Sequence, residues 1–125
     1  MKFVPETLDG ANMISRHEPH RLWVGGVAHE RSVFVPWVGE VQAWPVARWA
    51  DLAQGDFERM AAFEPELVIF GSGTRMRFAP AALLRPLVER RIGIECMDTA
   101  AACRTYNVLV SERRSVLAAL LLGVD

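Results

Sequence analysis

The stretch Ile92–Val110, with the sequence IGIECMDTAAACRTYNVLV, decides the fold because it changes from a strand pattern to a helical one. Ile92–Met97 is predicted to be a short strand. Asp98 follows and is well placed as an N-cap, since its carboxylate can accept the free N–H groups of a first helical turn. The helix is predicted to run from there to about Val110.

The predicted helix has two faces of opposite character. Its apolar stripe consists of Ala102, Tyr106, Leu109 and Val110. Its polar face carries Arg104, Asn107 and Ser111. We expect the stripe to pack against a sheet and the polar face to point away from the core, where a partner can reach it.

A second strand is predicted at Leu67–Phe70, an apolar run that leads into Gly71 as a buried parallel strand would. The tail Ser115–Leu122 is also apolar, but its periodicity alone allows either a helix or a last strand. The second half of the chain is therefore predicted to alternate helices and strands, as α/β proteins do.

Two further helices are predicted around these strands. The first begins between Gln54 and Asp56 and runs to about Phe63. The second covers residues 80–91, and Pro86 inside it predicts a kink or a split, because proline removes a backbone donor.

Residues 11–45 are predicted to form strands. A Gly25-Gly26 pair allows the positive φ angles of a tight hairpin turn. The predicted strands are Ala11–Arg16, Arg21–Val24, Val27–Val35 and Glu40–Trp44.

Length and composition indicate one soluble α/β domain over residues 1–125. The 14 basic and 15 acidic residues give a net charge of −1, which leaves no field to attract nucleic acid or an anionic membrane. Five arginines lie close together in sequence, and we interpret them as solvated charges: Arg75, Arg77, Arg85, Arg90 and Arg91. No run reaches the ~18 apolar residues of a membrane span, and the start lacks a secretory signal, so we expect a cytoplasmic protein.

No motif in the chain completes a catalytic, cofactor or metal site. The glycines of Gly71–Thr74 lack the third glycine and the immediate helix of a dinucleotide fingerprint. The histidines and cysteines lack the spacing of a metal site. They are His17, His20, His29, Cys96 and Cys103. We therefore expect no cofactor, no metal and no enzymatic activity, and we interpret both thiols as buried structural groups.

Small and polar residues follow the two predicted parallel strands, and we name this set the loop edge. It consists of Gly71, Ser72, Gly73 and Thr74 after the first strand and of Asp98 and Thr99 after the second. The carboxyl ends of parallel strands meet at one edge of a sheet, where ligands bind in open α/β folds. The alternative is that these residues only cap the helix and brace the loops.

Three segments of the chain carry a family resemblance. They are PELVIFGSGT at Pro65–Thr74, RFAP at Arg77–Pro80 and GIECMDTAAACRTYNVLVSERR at Gly93–Arg114. They resemble a family of small, mostly uncharacterised α/β proteins whose eukaryotic members are assembly factors of mitochondrial NADH dehydrogenase, complex I. The likeness extends over nearly the whole chain, including the turn around Asn12 and the segment Glu30–Ser32, and Gly93–Arg114 is its most specific part.

The resemblance implies a three-layer fold with a central mixed five-stranded sheet, in which the last strand runs antiparallel to its neighbours, and an additional N-terminal β-hairpin layer. By that likeness, Ser115–Leu122 is assigned to the last strand. The resemblance further implies a role in the biogenesis of membrane complexes, with their subunits or the translocation machinery as protein partners, and no established activity or cofactor.

Two functions follow as hypotheses. A non-enzymatic interaction or assembly protein predicts an exposed apolar patch. The candidates for such a patch are Trp23, Trp37, Trp44 and Trp49. A small-molecule binder or enzyme at the loop edge predicts a convergent pocket with titratable groups. Arg104 and Asn107 are candidate ligand or partner residues in addition to those of the loop edge.

Overall fold

The computed structural model describes residues 10–124, which form an α/β fold with two sheets. The strands are β1 (Ile14–Glu18), β2 (Arg21–Val24), β3 (Val27–His29), β4 (Val33–Pro36), β5 (Gln42–Ala43), β6 (Leu67–Gly71), β7 (Gly93–Met97) and β8 (Val116–Leu120). The α-helices are α1 (Gln54–Ala62), α2 (Arg85–Glu89) and α3 (Thr99–Ser111), and short 3₁₀ turns cover Trp49–Asp51 and Ala81–Leu83.

The central sheet is mixed and has the strand order β5-β4-β8-β6-β7. The last strand, β8, lies in the middle, antiparallel to β4 but parallel to β6. The prediction that it runs antiparallel to its neighbours is therefore correct for β4 and wrong for β6. The connection explains the difference: α3 carries the chain from the end of β7 back to the starting edge of the sheet, so β8 must run in the same direction as β6 and β7.

The N-terminal layer is a three-stranded antiparallel sheet, β1-β2-β3. The predicted hairpin is confirmed, with positive φ angles of 56° at Gly25 and 89° at Gly26. The predicted strand Val27–Val35 is wrong as one element, because it divides into β3 and β4, which belong to different sheets. Ser32 lies at the division, and its hydroxyl accepts the backbone N–H of Leu122 at 2.9 Å, which anchors the crossing point to the end of the central sheet.

Two buried clusters cover the two faces of the central sheet and make the fold three-layered. On one face, Phe57 of α1 and Leu87 of α2 belong to the same cluster as Phe70 of β6. On the other face, Tyr106 of α3 and Leu22 of β2 belong to the cluster of Ile69. Side chains of β6 alternate between the faces, so the strand contributes to both. The three-layer α/β prediction with an additional N-terminal β layer is confirmed.

Two strand predictions are only partly confirmed, since the strand expected at Ala11–Arg16 lies at Ile14–Glu18 and the strand expected at Glu40–Trp44 is reduced to Gln42–Ala43. The predictions for the second half of the chain agree with the structure. The first predicted helix matches α1, and the tail forms β8. The segment around Pro86 divides as expected into the turn Ala81–Leu83 and α2. None of the described helices is long and apolar enough to cross a membrane.

The expectation of an exposed tryptophan patch is wrong for Trp44, because its side chain packs into the core. Trp44 is 1% exposed, stacks on Phe34 with ring centroids 4.7 Å apart, and donates its indole N–H to Asp56 at 3.0 Å. The other three tryptophans are half-buried. Their large apolar surfaces thus stabilise the layers, and the exposed apolar side chains of residues 10–124 come from other positions.

Candidate functional site

The loops after β6 and β7 lie side by side, as the parallel pairing of these strands predicts. Gly71 at the end of β6 is opposite Met97 at the end of β7. Ser72 donates its backbone N–H to the Met97 carbonyl at 2.8 Å, and Thr99 donates its backbone N–H to the Gly73 carbonyl at 2.8 Å. The loop edge is therefore one hydrogen-bonded unit.

Thr99 ties three segments together at the loop edge. Its buried hydroxyl accepts the N–H of Gly73 at 2.9 Å and donates to the carbonyl of Leu121 at 2.8 Å. A Cβ on Gly71 would lie 3.0 Å from the Thr99 Oγ1 atom, so the absence of a side chain permits this approach. Thr99 is therefore a structural brace between the loop after β6, the start of α3 and the segment after β8.

Ser72, Gly73 and Thr74 differ in what they offer to a ligand. The Ser72 hydroxyl accepts the N–H of Arg77 at 2.9 Å and donates to the carbonyl of Arg75 at 2.7 Å, so it stabilises its own loop. Gly73 has a φ of +103°, which side chains resist. Thr74 is exposed. Of these three, Thr74 alone has a side chain that reaches solvent.

Asp98 is the N-cap of α3, as predicted. Its Oδ1 atom accepts the backbone N–H of Ala101 at 2.8 Å, and its φ and ψ angles of −66° and 162° are those of an extended cap residue. The cap satisfies one of the unpaired donors at the helix start. Asp98 is half-buried, so its carboxylate lies partly at the surface of the loop edge.

A cavity of about 350 Å³ opens above the loop edge. Part of its lining was predicted: Gly73, Thr74, Asp98 and Thr99. The other wall was not predicted and consists of Ala100 with His17, Glu18, Pro19 and Leu22 of the N-terminal layer. Pro19 lies in the turn between β1 and β2, and no local signal in the sequence places that turn over the loop edge.

The cavity has acidic and apolar surfaces. Glu18 and Asp98 supply carboxylates and His17 supplies an imidazole, whereas no lysine or arginine lines the cavity. Leu22 is fully buried and forms an apolar floor. Glu18 is already paired with Arg16 at 2.8 Å. Of the two carboxylates in the cavity lining, Asp98 forms no ion pair with residues 10–124. Such a lining suits a small ligand that donates hydrogen bonds or carries positive charge.

The polar face of α3 is only partly as predicted. Arg104 and Ser111 are exposed, but Asn107 points toward β1 and is half-buried. Its side-chain amide donates to the carbonyl of Ile14 at 2.8 Å and accepts the Ile14 N–H at 2.9 Å. The expectation that Asn107 points away from the core is wrong, because the first strand of the N-terminal layer lies along this side of the helix. Neither Arg104 nor Asn107 lines the cavity.

The buried titratable groups of α3 serve packing. Burial raises the pKa of the Cys103 thiol to about 12, so the reactive thiolate is disfavoured. Burial also raises the pKa of Tyr106, whose hydroxyl lies 2.7 Å from the carbonyl of Asn12 and so anchors the N-terminal segment. Within residues 10–124, no three His, Cys, Asp or Glu side chains converge closely enough to hold a metal ion.

Several curated proteins similar to this chain are named as assembly factors. The bovine protein NADH dehydrogenase (ubiquinone) 1 alpha subcomplex assembly factor 3 is 30% identical over 121 residues, covering 88% of this chain and 66% of its own length. The human protein of the same name is 34% identical over 83 residues, covering 65% of this chain and 45% of its own length. The chain thus spans two thirds or less of these relatives.

Two solved structures from bacteria share the fold. A crystal structure from Bordetella parapertussis has a TM-score of 0.85 and 33% identity, covering 90% of this chain and 97% of that chain. A solution structure of a Mth938-like domain from Bordetella pertussis has a TM-score of 0.83 and 28% identity, covering 100% of this chain and 94% of that chain. The match extends over both sheets and supports the three-layer architecture.

A sequence family matches residues 14–121, from the first residue of β1 to just beyond β8. This range contains the loop edge and every residue that lines the cavity. The family is described as a protein family of unknown function, DUF498/DUF598. Curated relatives of this chain at 30% to 35% identity include NADH dehydrogenase assembly factors. The resemblance seen in the sequence is thus confirmed, and this chain belongs to the DUF498/DUF598 family.

Proposed function

We propose that this chain is a non-enzymatic, cytoplasmic assembly protein that acts by contact with subunits of a membrane-bound respiratory complex or with the machinery that inserts them. The observation that carries this proposal is the 30% identity to an assembly factor over 88% of the chain. The chemistry of α3 agrees with it, since burial disfavours the thiolate of Cys103, the cysteine on this helix.

The outer surface of α3 supports a contact role. Ala100, Arg104 and Val108 are spaced four residues apart, so they lie in one row along the helix. All three are exposed, and Val108 is 56% exposed. Arginine is among the residues that most often anchor protein interfaces. We propose this row, which we name the α3 row, as a contact surface.

The direct test is removal of the protein from the cell in which it occurs. We expect the amount of assembled membrane NADH dehydrogenase, measured on native gels with an activity stain, to fall, while the levels of unassembled subunits persist. Expression of the parent chain restores assembly. A deletion strain that assembles the complex at the parent level contradicts the proposal.

A second candidate function is the binding of a small molecule in the cavity above the loop edge. The specific observation is that two layers of the fold converge there on about 350 Å³, with a half-buried carboxylate at Asp98 and an apolar floor at Leu22. We propose primary amines as the ligand class, because the lining contains carboxylates and neither lysine nor arginine.

The cavity hypothesis is tested by thermal shift and calorimetry with a series of primary alkylamines, with carboxylates and phosphates of equal size as the opposite-charge control. Ala100→Leu partly fills the cavity from an exposed helix position, so it is expected to abolish amine binding without unfolding the chain. Equal responses to amines and phosphates, or binding that survives Ala100→Leu, contradict this candidate.

A further inference from the structure

Residues 75–78 alternate arginine with exposed apolar side chains. The segment follows the loop edge and has the sequence Arg75-Met76-Arg77-Phe78. Phe78 is 75% exposed and Met76 is 44% exposed. Removing such apolar area from water stabilises a complex, and aromatic residues, methionine and arginine are enriched at protein interfaces.

The same segment meets a second basic and aromatic element. The guanidinium carbon of Arg77 lies 3.9 Å from the ring centroid of Trp49, within the range of a cation–π contact. Beside this contact, an open depression of about 550 Å³ is lined by Arg48, Trp49, Ala50 and Arg75. Arg48 and Arg75 are both exposed. We name Arg48, Trp49, Arg75, Met76 and Phe78 the basic–aromatic surface.

The charges of this surface are not neutralised from within the fold. Several other exposed arginines form ion pairs, such as Arg85 with Glu89 at 2.6 Å and Arg21 with Glu30 at 2.7 Å. Arg48 and Arg75 form no ion pair with any residue between 10 and 124. Two uncompensated guanidinium groups at one depression attract carboxylates, which they can bind in a bidentate geometry.

We propose that the basic–aromatic surface binds an acidic segment of a partner protein that also carries an apolar side chain. Its carboxylates pair with Arg48 and Arg75, and its apolar side chain packs on Met76 and Phe78. The depression at Trp49 is open to solvent, so the side chains of a peptide segment can reach it. This inference rests on the contact role proposed above and names the chemistry of a partner segment.

The probe is a synthetic dodecapeptide of alternating glutamate and leucine, titrated into isotopically labelled protein and followed by NMR. We expect chemical-shift changes concentrated at residues 48–50 and 75–78, and weaker binding as salt increases. Arg75→Glu and Phe78→Ser change exposed side chains, so the fold is retained, and each is expected to weaken binding about tenfold. Arg113→Glu is the control, because it makes the same charge change on an exposed side chain at the other end of α3.

Four outcomes overturn the proposal. Shift changes located away from these residues, or an equal loss of binding in Arg113→Glu, show that the surface is not the binding site. Concentration-dependent shifts of the same residues without peptide show that a second copy of the chain occupies it. If the protein does not bind the peptide but sediments with phosphatidylserine vesicles, and Arg75→Glu abolishes this sedimentation, a lipid surface occupies the basic–aromatic surface.

Failure of this proposal is separable from failure of the proposed assembly role. Suppose that the deletion strain fails to assemble the respiratory complex but a strain carrying Arg75→Glu assembles it at the parent level. This result refutes the role of the basic–aromatic surface and leaves the assembly role intact. A deletion strain with normal assembly refutes the role, whatever the peptide titration shows.

Discussion

The side-chain amide of Asn107 forms both hydrogen bonds that a neighbouring strand would offer to Ile14. Asn107 donates to the Ile14 carbonyl at 2.8 Å and accepts the Ile14 N–H at 2.9 Å. The two residues are 93 positions apart in sequence, so this contact fastens the start of β1 to α3. The other end of β1 carries His17 and Glu18 into the wall of the cavity. Asn107 therefore positions the cavity wall without touching it.

Asn107→Ala is expected to destabilise the fold by about 1–3 kcal/mol, because both backbone groups of Ile14 lose a partner. Denaturant unfolding followed by circular dichroism measures the change. Arg104→Ala, one turn earlier on the exposed side of α3, is the control and is expected to change stability by less than about 0.5 kcal/mol. Equal midpoints for the parent and Asn107→Ala would contradict the role given to this amide.

Asp98 and Asn107 differ in whether the local sequence predicts their structural roles. Asp98 acts on the helix that it begins, so its role follows from its position before Thr99. The role of Asn107 depends on a strand distant in sequence, and a helical wheel assigns it only to a polar face. The same limit hides the cavity wall, because nothing local to Pro19 states that its turn lies above the start of α3.

In the central sheet, too, local signals predict the elements but not how distant segments pair. Local signals predict the strand at Leu67–Gly71, where an apolar run leads into a glycine. They also predict the strand–helix unit from Gly93 onward, where Asp98 caps the helix. The insertion of β8 between β4 and β6 is a pairing of distant segments, and its direction depends on the path of α3. The split between β3 and β4 arises because the chain changes sheets at Ser32, and the polar run His29–Ser32 is the local signal that marks this point.

Gly71→Ala is expected to destabilise the fold, because the new Cβ would lie 3.0 Å from Thr99 Oγ1 and 3.1 Å from the Thr99 backbone. A misfit against fixed backbone typically costs about 1–3 kcal/mol. Gly55→Ala is the matched control, since a Cβ at that position in α1 meets nothing within 4 Å. There the same change is expected to stabilise the helix by up to about 1 kcal/mol. Thermal melts that move in the same direction for both variants would rule out a close approach at Gly71.

Cys103 is expected to make stability depend on pH in the alkaline range. Burial raises the pKa of its thiol from 9.0 to about 12, so the folded state holds the proton more tightly than the unfolded state. The stability that comes from this difference is fully present below pH 9 and is lost as the pH rises toward about 12.

The measurement for Cys103 is the free energy of unfolding in denaturant, below pH 9 and between pH 9 and about 12. The parent is expected to lose more stability across this range than Cys103→Ala, which has no thiol to ionise but keeps Tyr106. The absolute stability of Cys103→Ala is lower because of the space left in the core, so the slope with pH is the readout. Parallel curves for the two proteins would show that the thiol does not contribute.

Arg104→Glu tests the α3 row as a contact surface. Arg104 is exposed and forms no ion pair with residues 10–124, so reversal of its charge is expected to leave the melting temperature nearly unchanged. The same change is expected to reduce recovery of NADH dehydrogenase subunits with tagged protein by roughly tenfold, because arginine often anchors interfaces. Quantitative mass spectrometry of the co-purified subunits measures the loss.

Arg31→Glu is the control for Arg104→Glu. It makes an identical charge change at another exposed position and is expected to retain recovery of the subunits, which separates local contact from net charge. If Arg104→Glu melts like the parent and recovers the same subunits in the same amounts, α3 does not present the contact surface. The basic–aromatic surface at Arg48 and Arg75 is then the candidate contact surface.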